Sequence, residues 1–426
     1  MVQDTDPAIR PAPGAPAAPV RRGPLRLSPL GQRRWRNFCS NRRAFWSLWI
    51  FLFLFGLSLC APFLANDKPI IVSFRGELRM PIFTFYSERD FGGALPIPKY
   101  QDVEMSCLIV TGGLDGCFDT PEDLIAAARD GTLDDPDFHK GWALWPPIPY
   151  AYNTIVDMPG EAPGPPNVYG HWAVDAEGAP LPRAEWSAAA DWRFGRLPEG
   201  LRGSNLLGTD DTKRDVAARV IYGFQISVLF TLVVTTVASV VGIIAGAIQG
   251  YFGGWIDLIF QRIIEIWSST PSLYVIIILF AILGRSFWLI VGLTILFGWP
   301  ALVGVVRAEF LRARNFEYVR AARALGVSNR TIMFRHMLPN AMVATLTLLP
   351  FIITGHIATL ASLDFLGFGL PSKAPSLGEM TRQAKENLQA PWLGFTAFFT
   401  FALMLSLLVF VFEGVRDAFD PRKTFS

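Results

Sequence analysis

The sequence predicts an all-α membrane protein of six transmembrane helices, with a soluble extracytoplasmic insert between the first two spans and a basic loop between the fourth and fifth. Three observations predict it. The 426 residues are 51% hydrophobic and include 34 phenylalanines, more apolar surface than a soluble core absorbs, and the excess lies in runs. Six runs reach or approach the roughly 20 residues that cross hydrocarbon, where a helix satisfies its own backbone hydrogen bonds. They are 44–64, 226–248, 263–283, 287–306, 341–362 and 392–412. Positive charge is unevenly placed: nine arginines and two acids precede the first span, and the 307–340 loop carries seven arginines against Glu309 and Glu317. Arginine accumulates on the cytoplasmic side, so the loop, the N-terminus and, after an even number of crossings, the C-terminus are expected inside.

Residues 1–27, rich in Pro, Ala and Gly, cannot bury enough apolar area to order themselves and are expected to be a disordered cytoplasmic tail. The following apolar run is too long for a cleaved signal. Ser28-Pro29 suits a helix start. Arg33, Arg34, Trp35, Arg36, Phe38, Arg42 and Arg43 suit an interfacial helix over 28–43.

Residues 65–203 are too polar to span and form the extracytoplasmic insert. Strands are expected at 70–74 and 82–86, and a helix capped by Thr120 and ended near Gly131. Cys107 and Cys117 pair as a disulfide in an oxidising compartment or stay as two thiols; spacing alone leaves both open. Trp142, Trp145, Trp172, Trp186 and Trp192 are read as packing residues rather than a partner surface.

From 204 to 426 the chain is the membrane core. In the second span Ala238, Gly242, Gly246 and Gly250 recur every fourth residue, a small face for a neighbouring helix. Pro271, Pro300 and Pro350 should kink the later spans. Ser268, Ser269, Thr270, Thr294, Thr345, Thr347 and Thr354 either line a polar route or bond to their own helices; taken singly, the second reading is preferred.

No Gly-Lys pair exists, hence no phosphate-cradling loop. The four histidines have no metal-ligand spacing, and no catalytic grouping stands out, so neither a metal site nor an enzyme is expected. Ionisable residues such as Asp257, Arg262, Glu265, Arg285, Asp364 and Glu413 fall near span ends, which argues against an ion-coupled carrier or channel. A scaffold that merely binds anionic lipid is the other alternative.

The 307–340 loop is the most informative segment. Ala321 and Ala322 allow close approach, Gly326 can take the left-handed conformation that ends a helix, and Ser328 can cap a second. Leu338-Pro339 is expected to stop that second helix before the chain re-enters lipid.

This segment resembles the cytoplasmic EAA loop of ABC-importer permeases: Glu-Ala-Ala, three residues, Gly, nine residues, Ile-x-Leu-Pro. Ala321, Ala322, Gly326, Leu338 and Pro339 match at the family's spacing, with Val327 and Ser328 in the turn. Arg320 replaces the glutamate, and His336 takes the isoleucine position, as in the dipeptide/oligopeptide branch. Gly208, Thr209, Asp210, Asp211, Arg214 and Asp215 resemble that branch's block before the second span, with Lys213 in the usual glycine place. A weaker likeness covers Asp364 to Gly369. Parts of the insert, from Ala65 and from Asp90, are similar to the subfamily associated with microcin C and oligopeptide uptake.

The resemblance implies a type I importer (MetI-like) permease core in the bacterial inner membrane, with the insert periplasmic. It implies a second, related but different permease, two ATPases that receive the loops and bind ATP and Mg²⁺, an extracytoplasmic binding protein and a peptide substrate. This chain itself would bind no cofactor, and no nucleic acid.

Overall fold

The structure, a computed structural model, describes residues 29–156, 162–166, 171–174, 191–194, 205–371 and 373–419. The expected tail, Ser28 and Trp186 lie outside them, as do the side chains of Trp172 and Trp192. The interfacial run forms α1 (Pro29–Ser40), and α2 (Arg42–Leu59) is the first span, capped by Asn41, whose side chain accepts from the Ala44 N–H. Arg34 lies over the Phe419 ring, so α1 packs on the far end of the last helix.

A short α3 (Ala61–Leu64) leads into the insert. There β1 (Ile71–Phe74) pairs antiparallel with β2 (Glu77–Arg79) and β3 (Trp142–Leu144), beside α4 (Val103–Thr111) and α5 (Pro121–Asp130). A second antiparallel pair joins β4 (His171–Val174) to β5 (Asp191–Phe194). The expected strand at 82–86 is absent. Phe83 and Thr84 N–H groups turn back to the Met80 carbonyl, and Phe83 and Phe85 are exposed with no neighbouring strand to cover them. The α5 boundaries match expectation, with Gly131 left-handed at the end, but Thr120 makes no side-chain cap; Pro121 at the first position presets the turn without it. Cys107 and Cys117 form a disulfide, buried in a core with Val72, Phe74, Phe91 and Leu108. Of the tryptophans, Trp145 packs against that core and Trp142 is exposed.

The second span, α6 (Val216–Phe252), begins ahead of the apolar run. The expected third span, 263–283, is not one rod: α7 (Gly254–Ser269) and α8 (Ser272–Leu283) meet at 69°. Proline cannot donate to the Trp267 carbonyl and disfavours helical backbone before it. Thr270 accordingly takes φ −75, ψ 124, and its own N–H fills the Trp267 carbonyl. Asp257, Arg262 and Glu265 are thereby spread along α7 rather than gathered at a span end.

The fourth span runs through α9 (Phe287–Gly298) and α10 (Pro300–Ala313), divided at Trp299, with Pro300 opening the second half. After α11 (Glu317–Ala324) and the single turn α12 (Asn329–Thr331) comes α13 (Leu338–Phe365), with Pro350 inside it. Then follow α14 (Leu377–Glu386) and α15 (Pro391–Phe419). Five stretches among the described residues are long and apolar enough to span, six with the bent pair.

The small-residue face packs as its period implies. A Cβ on Gly246 would sit 2.8 Å from the Val303 carbonyl oxygen, and one on Gly250 2.6 Å from that of Arg307. Only glycine lets α10 lie this close to α6. Asp257 on α7 accepts two hydrogen bonds from the Arg307 guanidinium, one of 2.7 Å, joining a third helix to that pair.

Candidate functional site

The α11–α12 turn is built from local backbone chemistry. The Gly326 N–H donates to the Arg323 carbonyl and the Val327 N–H to that of Ala322, both at 3.0 Å, with Gly326 at φ +72. This is the Schellman closure, and its apolar contact is present: Val327 and Ala322 both lean on one core. Ser328 Oγ then accepts from the Thr331 N–H and starts the next turn.

Leu338-Pro339 does not stop that second helix. Ile332–Met337 form a π-helical segment that runs directly into α13, so 329–365 is continuous. The wider π turn makes room for the Pro339 ring, which would otherwise press on a carbonyl of the preceding turn. The α11–α12 turn is therefore attached to α13 without a joint.

Val319, Ile332, Met333 and Met337 are buried against Ala247 and Tyr251 of α6 and Val306 and Phe310 of α10. The Tyr251 hydroxyl donates to Asn329 Oδ1 at 2.6 Å, and Arg323 stacks over the Tyr251 ring. Arg320, Ala321, Arg330, Arg335 and His336 are exposed, as are Gly326, Ser328 and Pro339; Arg323 is exposed too, beside its contact with Tyr251. At the tip Leu325 is 83% exposed. An exposed leucine on a rigid turn that also carries exposed arginines is suited to an apolar socket with an acidic rim.

At the other end of α6 the Gly208 to Asp215 block forms a second local device. Asp210 Oδ1 accepts from the Thr212 N–H and the Arg214 N–H, and Oδ2 from Arg214 Nε at 2.9 Å. The wholly buried Arg219 guanidinium lies 3.4 Å from the same Oδ2. Asp215 caps α6, accepting from the Ala218 N–H at 2.7 Å and from Asn205 Nδ2 at 2.8 Å. Burial pushes the Asp215 carboxyl up to about 6, against the pull of those bonds, and also raises Asp211, which in addition feels Asp210. Thr209 Oγ1 accepts from the Gly164 N–H, and the Thr209 carbonyl from Trp392 Nε1 on α15. Lys213 adopts φ +61, the left-handed conformation that glycine takes most easily. The block holds the mouth of the bundle together, and the described geometry brings none of it near the α11–α12 turn, which lies beyond the length of α6.

The Asp364 segment works similarly: Asp364 Oδ1 accepts from the Leu370 N–H at 2.6 Å, and Oδ2 from Ser376 Oγ. Of the polar residues named as possible path linings, Ser269, Thr270, Thr294, Thr345, Thr347 and Thr354 donate to carbonyls three or four residues back. Ser268 alone among them makes no such bond. Sequence reasoning missed His356, which meets Thr235 across 121 positions, and the Asp257–Arg307 pair. A histidine within an apolar run was the available signal for the first.

Residues 238–425 match the family described as "Binding-protein-dependent transport system inner membrane component". Residues 28–76 match "N-terminal TM domain of oligopeptide transport permease C". The chain is 53% identical over 400 residues to the peptidoglycan transport system permease protein YejE of Agrobacterium fabrum, covering 94% of this chain and 95% of that one. It is 48% identical over 398 residues to the inner membrane ABC transporter permease protein YejE of Escherichia coli, covering 93% and 99%. The oligopeptide transport system permease protein OppC of Lactococcus lactis is 33% identical over 227 residues, 52% of this chain and 77% of its own. The chain therefore belongs to the YejE branch of the binding-protein-dependent permeases, the membrane subunits of ABC importers whose ATP is hydrolysed by separate partner subunits.

Proposed function

We propose that this chain is a permease subunit through which peptides of the oligopeptide or microcin C class cross the bacterial inner membrane, driven by ATPases that grip the α11–α12 turn. The name of its oligopeptide-transport relative OppC supports the peptide class. The arginine distribution supports cytoplasmic termini and a periplasmic insert. Its partners are a second, different permease, two ATPases that carry ATP and Mg²⁺, and an extracytoplasmic binding protein; the chain itself holds no cofactor.

One observation carries the coupling reading. The turn is continuous with α13 and clamped to α6 and α10, so a push on its exposed face tilts three helices together instead of bending a loop. Such rigid-body movement is what alternating access needs. Arg320, Ala321, Ala322, Gly326, Val327, Ser328, Leu338 and Pro339 are the docking element: Leu325 and the arginines make the contact, and the others shape it.

The test is to purify the assembled complex carrying Leu325→Asp or Gly326→Val. No atom lies within 4 Å of a Cβ on Gly326, so valine there costs only backbone strain, about 1–2 kcal/mol at this left-handed position. Leu325→Asp should detach the ATPases, and Gly326→Val should blunt peptide-stimulated hydrolysis. Full retention and full stimulation in both would refute the docking role.

A further inference from the structure

Between the α7–α8 break, the α9–α10 break and α13 lies an open cavity of about 650 Å³. Its walls are mostly apolar, with Phe297, Pro300, Leu348 and Phe351 among them, and no charged side chain lines it. The charged basin of about 520 Å³ by Arg285, Glu379 and Arg382 is a separate space. Two polar groups in the apolar cavity stand apart from the helix backbone. His356 is 7% exposed, and its Nδ1 is paired with Thr235 Oγ1 at 2.9 Å. Thr231, one turn earlier, donates to a carbonyl of its own helix, whereas Thr235 does not. Assigning the Thr235 hydroxyl hydrogen to Nδ1 gives that hydrogen an acceptor and leaves the ring's hydrogen on Nε2. Nε2 has no protein partner and is not sealed in: it faces Gly298, where a Cβ would stand 3.1 Å away, on the cavity wall. Ser268 lines the same cavity with its hydroxyl unengaged.

We infer that this cavity is a peptide-backbone subsite, in which the Nε2–H of His356 and the hydroxyl of Ser268 donate to substrate carbonyl oxygens. Both donors face the cavity without a protein partner, so each is free to meet a carbonyl that passes through it. The absence of charge in the lining fits recognition of what all peptides share, the main chain, and leaves side-chain identity unread. Glycine at 298 keeps the approach to Nε2 open. The inference deepens the importer reading and rests on it.

The experiment uses the whole complex, with its partner permease, ATPases and binding protein, in proteoliposomes, and measures pentaalanine uptake. His356→Asn keeps a group to meet Thr235 but removes the donor at the Nε2 position; His356→Gln places an amide N–H there instead. The expected results are a KM raised about tenfold in the asparagine variant, the equivalent of one net hydrogen bond, and a KM within about twofold of wild type in the glutamine variant. Ser268→Ala, at an exposed position that folding does not need, should raise KM about threefold. Unchanged KM in His356→Asn and Ser268→Ala, or a glutamine variant as impaired as the asparagine one, overturns the subsite while leaving the importer standing. A wild-type complex that takes up no pentaalanine overturns the importer reading, and the subsite with it.

Discussion

Tyr251, at the last turn of α6, holds Asn329, at the first turn after the Gly326 bend, through a single 2.6 Å hydrogen bond. The same ring supports the Arg323 guanidinium at 4.7 Å. One side chain thus fastens both halves of the α11–α12 turn to the second span. Tyr251→Phe removes the hydroxyl and keeps the aromatic face, so it isolates the hydrogen bond. The loss is about 1 kcal/mol. ATPases should still co-purify, and peptide-stimulated hydrolysis should fall by about threefold to tenfold. An unaltered stimulation ratio would show that the Tyr251 hydroxyl does not transmit movement.

How much of this was legible beforehand differs by feature, for physical reasons. The small face of α6 was readable because helix period maps sequence directly onto one side: Ala238, Gly242, Gly246 and Gly250 had to be neighbours. Gly326 and Ser328 were readable because a bend and a cap are made within five residues. Pro271 announced a break, but its 69° angle depends on how α7 and α8 pack, which no local signal carries. The end of the second loop helix was misread because proline was weighed against an α-helix, and a π turn relaxes the clash that gives proline its stopping power. Asp257 with Arg307, and Thr235 with His356, require knowing the rotation of two distant helices, so composition could flag the residues but not the pairs. The 82–86 segment, Ile-Phe-Thr-Phe-Tyr, has the β-branched and aromatic composition of a strand, yet composition does not supply an edge to pair with.

Asp215 gives a prediction with a definite sign. Its carboxyl titrates near 6 in the folded chain against 3.8 ordinarily, because burial disfavours the charge. The folded state therefore holds the proton more tightly, and this group's contribution to stability declines as pH rises from about 4 to 6 and is flat above. The full swing is roughly 3 kcal/mol. Asp215→Asn stays neutral throughout and still caps Ala218. Its new amide can be met by Asn205 Oδ1, now buried without a partner, once the Asn205 amide turns over. In lipid nanodiscs the variant should unfold at a higher temperature than wild type at pH 7.5 and at a similar one near pH 4. A difference that grows toward acid would contradict the assignment.

The Cys107–Cys117 bond closes a loop of 10 residues around the core of the insert, where both sulfurs are fully buried. Closing a loop of this size removes unfolded-state entropy worth about 2.5–3 kcal/mol. The double variant Cys107→Ser, Cys117→Ser also leaves two hydroxyls in an apolar core, which adds to the loss. Limited proteolysis should then cut the insert much faster while the spans stay intact. Equal cleavage rates in the oxidised wild type and the variant would show that the insert's fold does not depend on the bridge.

Two glycines that look alike in sequence should respond oppositely. Gly246, on the α6 face against α10, has the Val303 carbonyl 2.8 Å and Val306 Cβ 2.9 Å from where a Cβ would stand. Gly292, within α9, has no atom within 4 Å of that position. Gly246→Val must force the two helices apart. The cost of such overpacking is about 1–3 kcal/mol, and because α10 leads directly to the α11–α12 turn, coupling should be damaged along with stability. Gly292→Ala meets open space and gains helix propensity, up to about 1 kcal/mol. Thermal unfolding of the two purified variants in the same detergent should place them on opposite sides of wild type. If Gly246→Val were as stable as wild type, the close packing of α6 on α10 would be wrong, and with it the path by which movement of the turn reaches the second span.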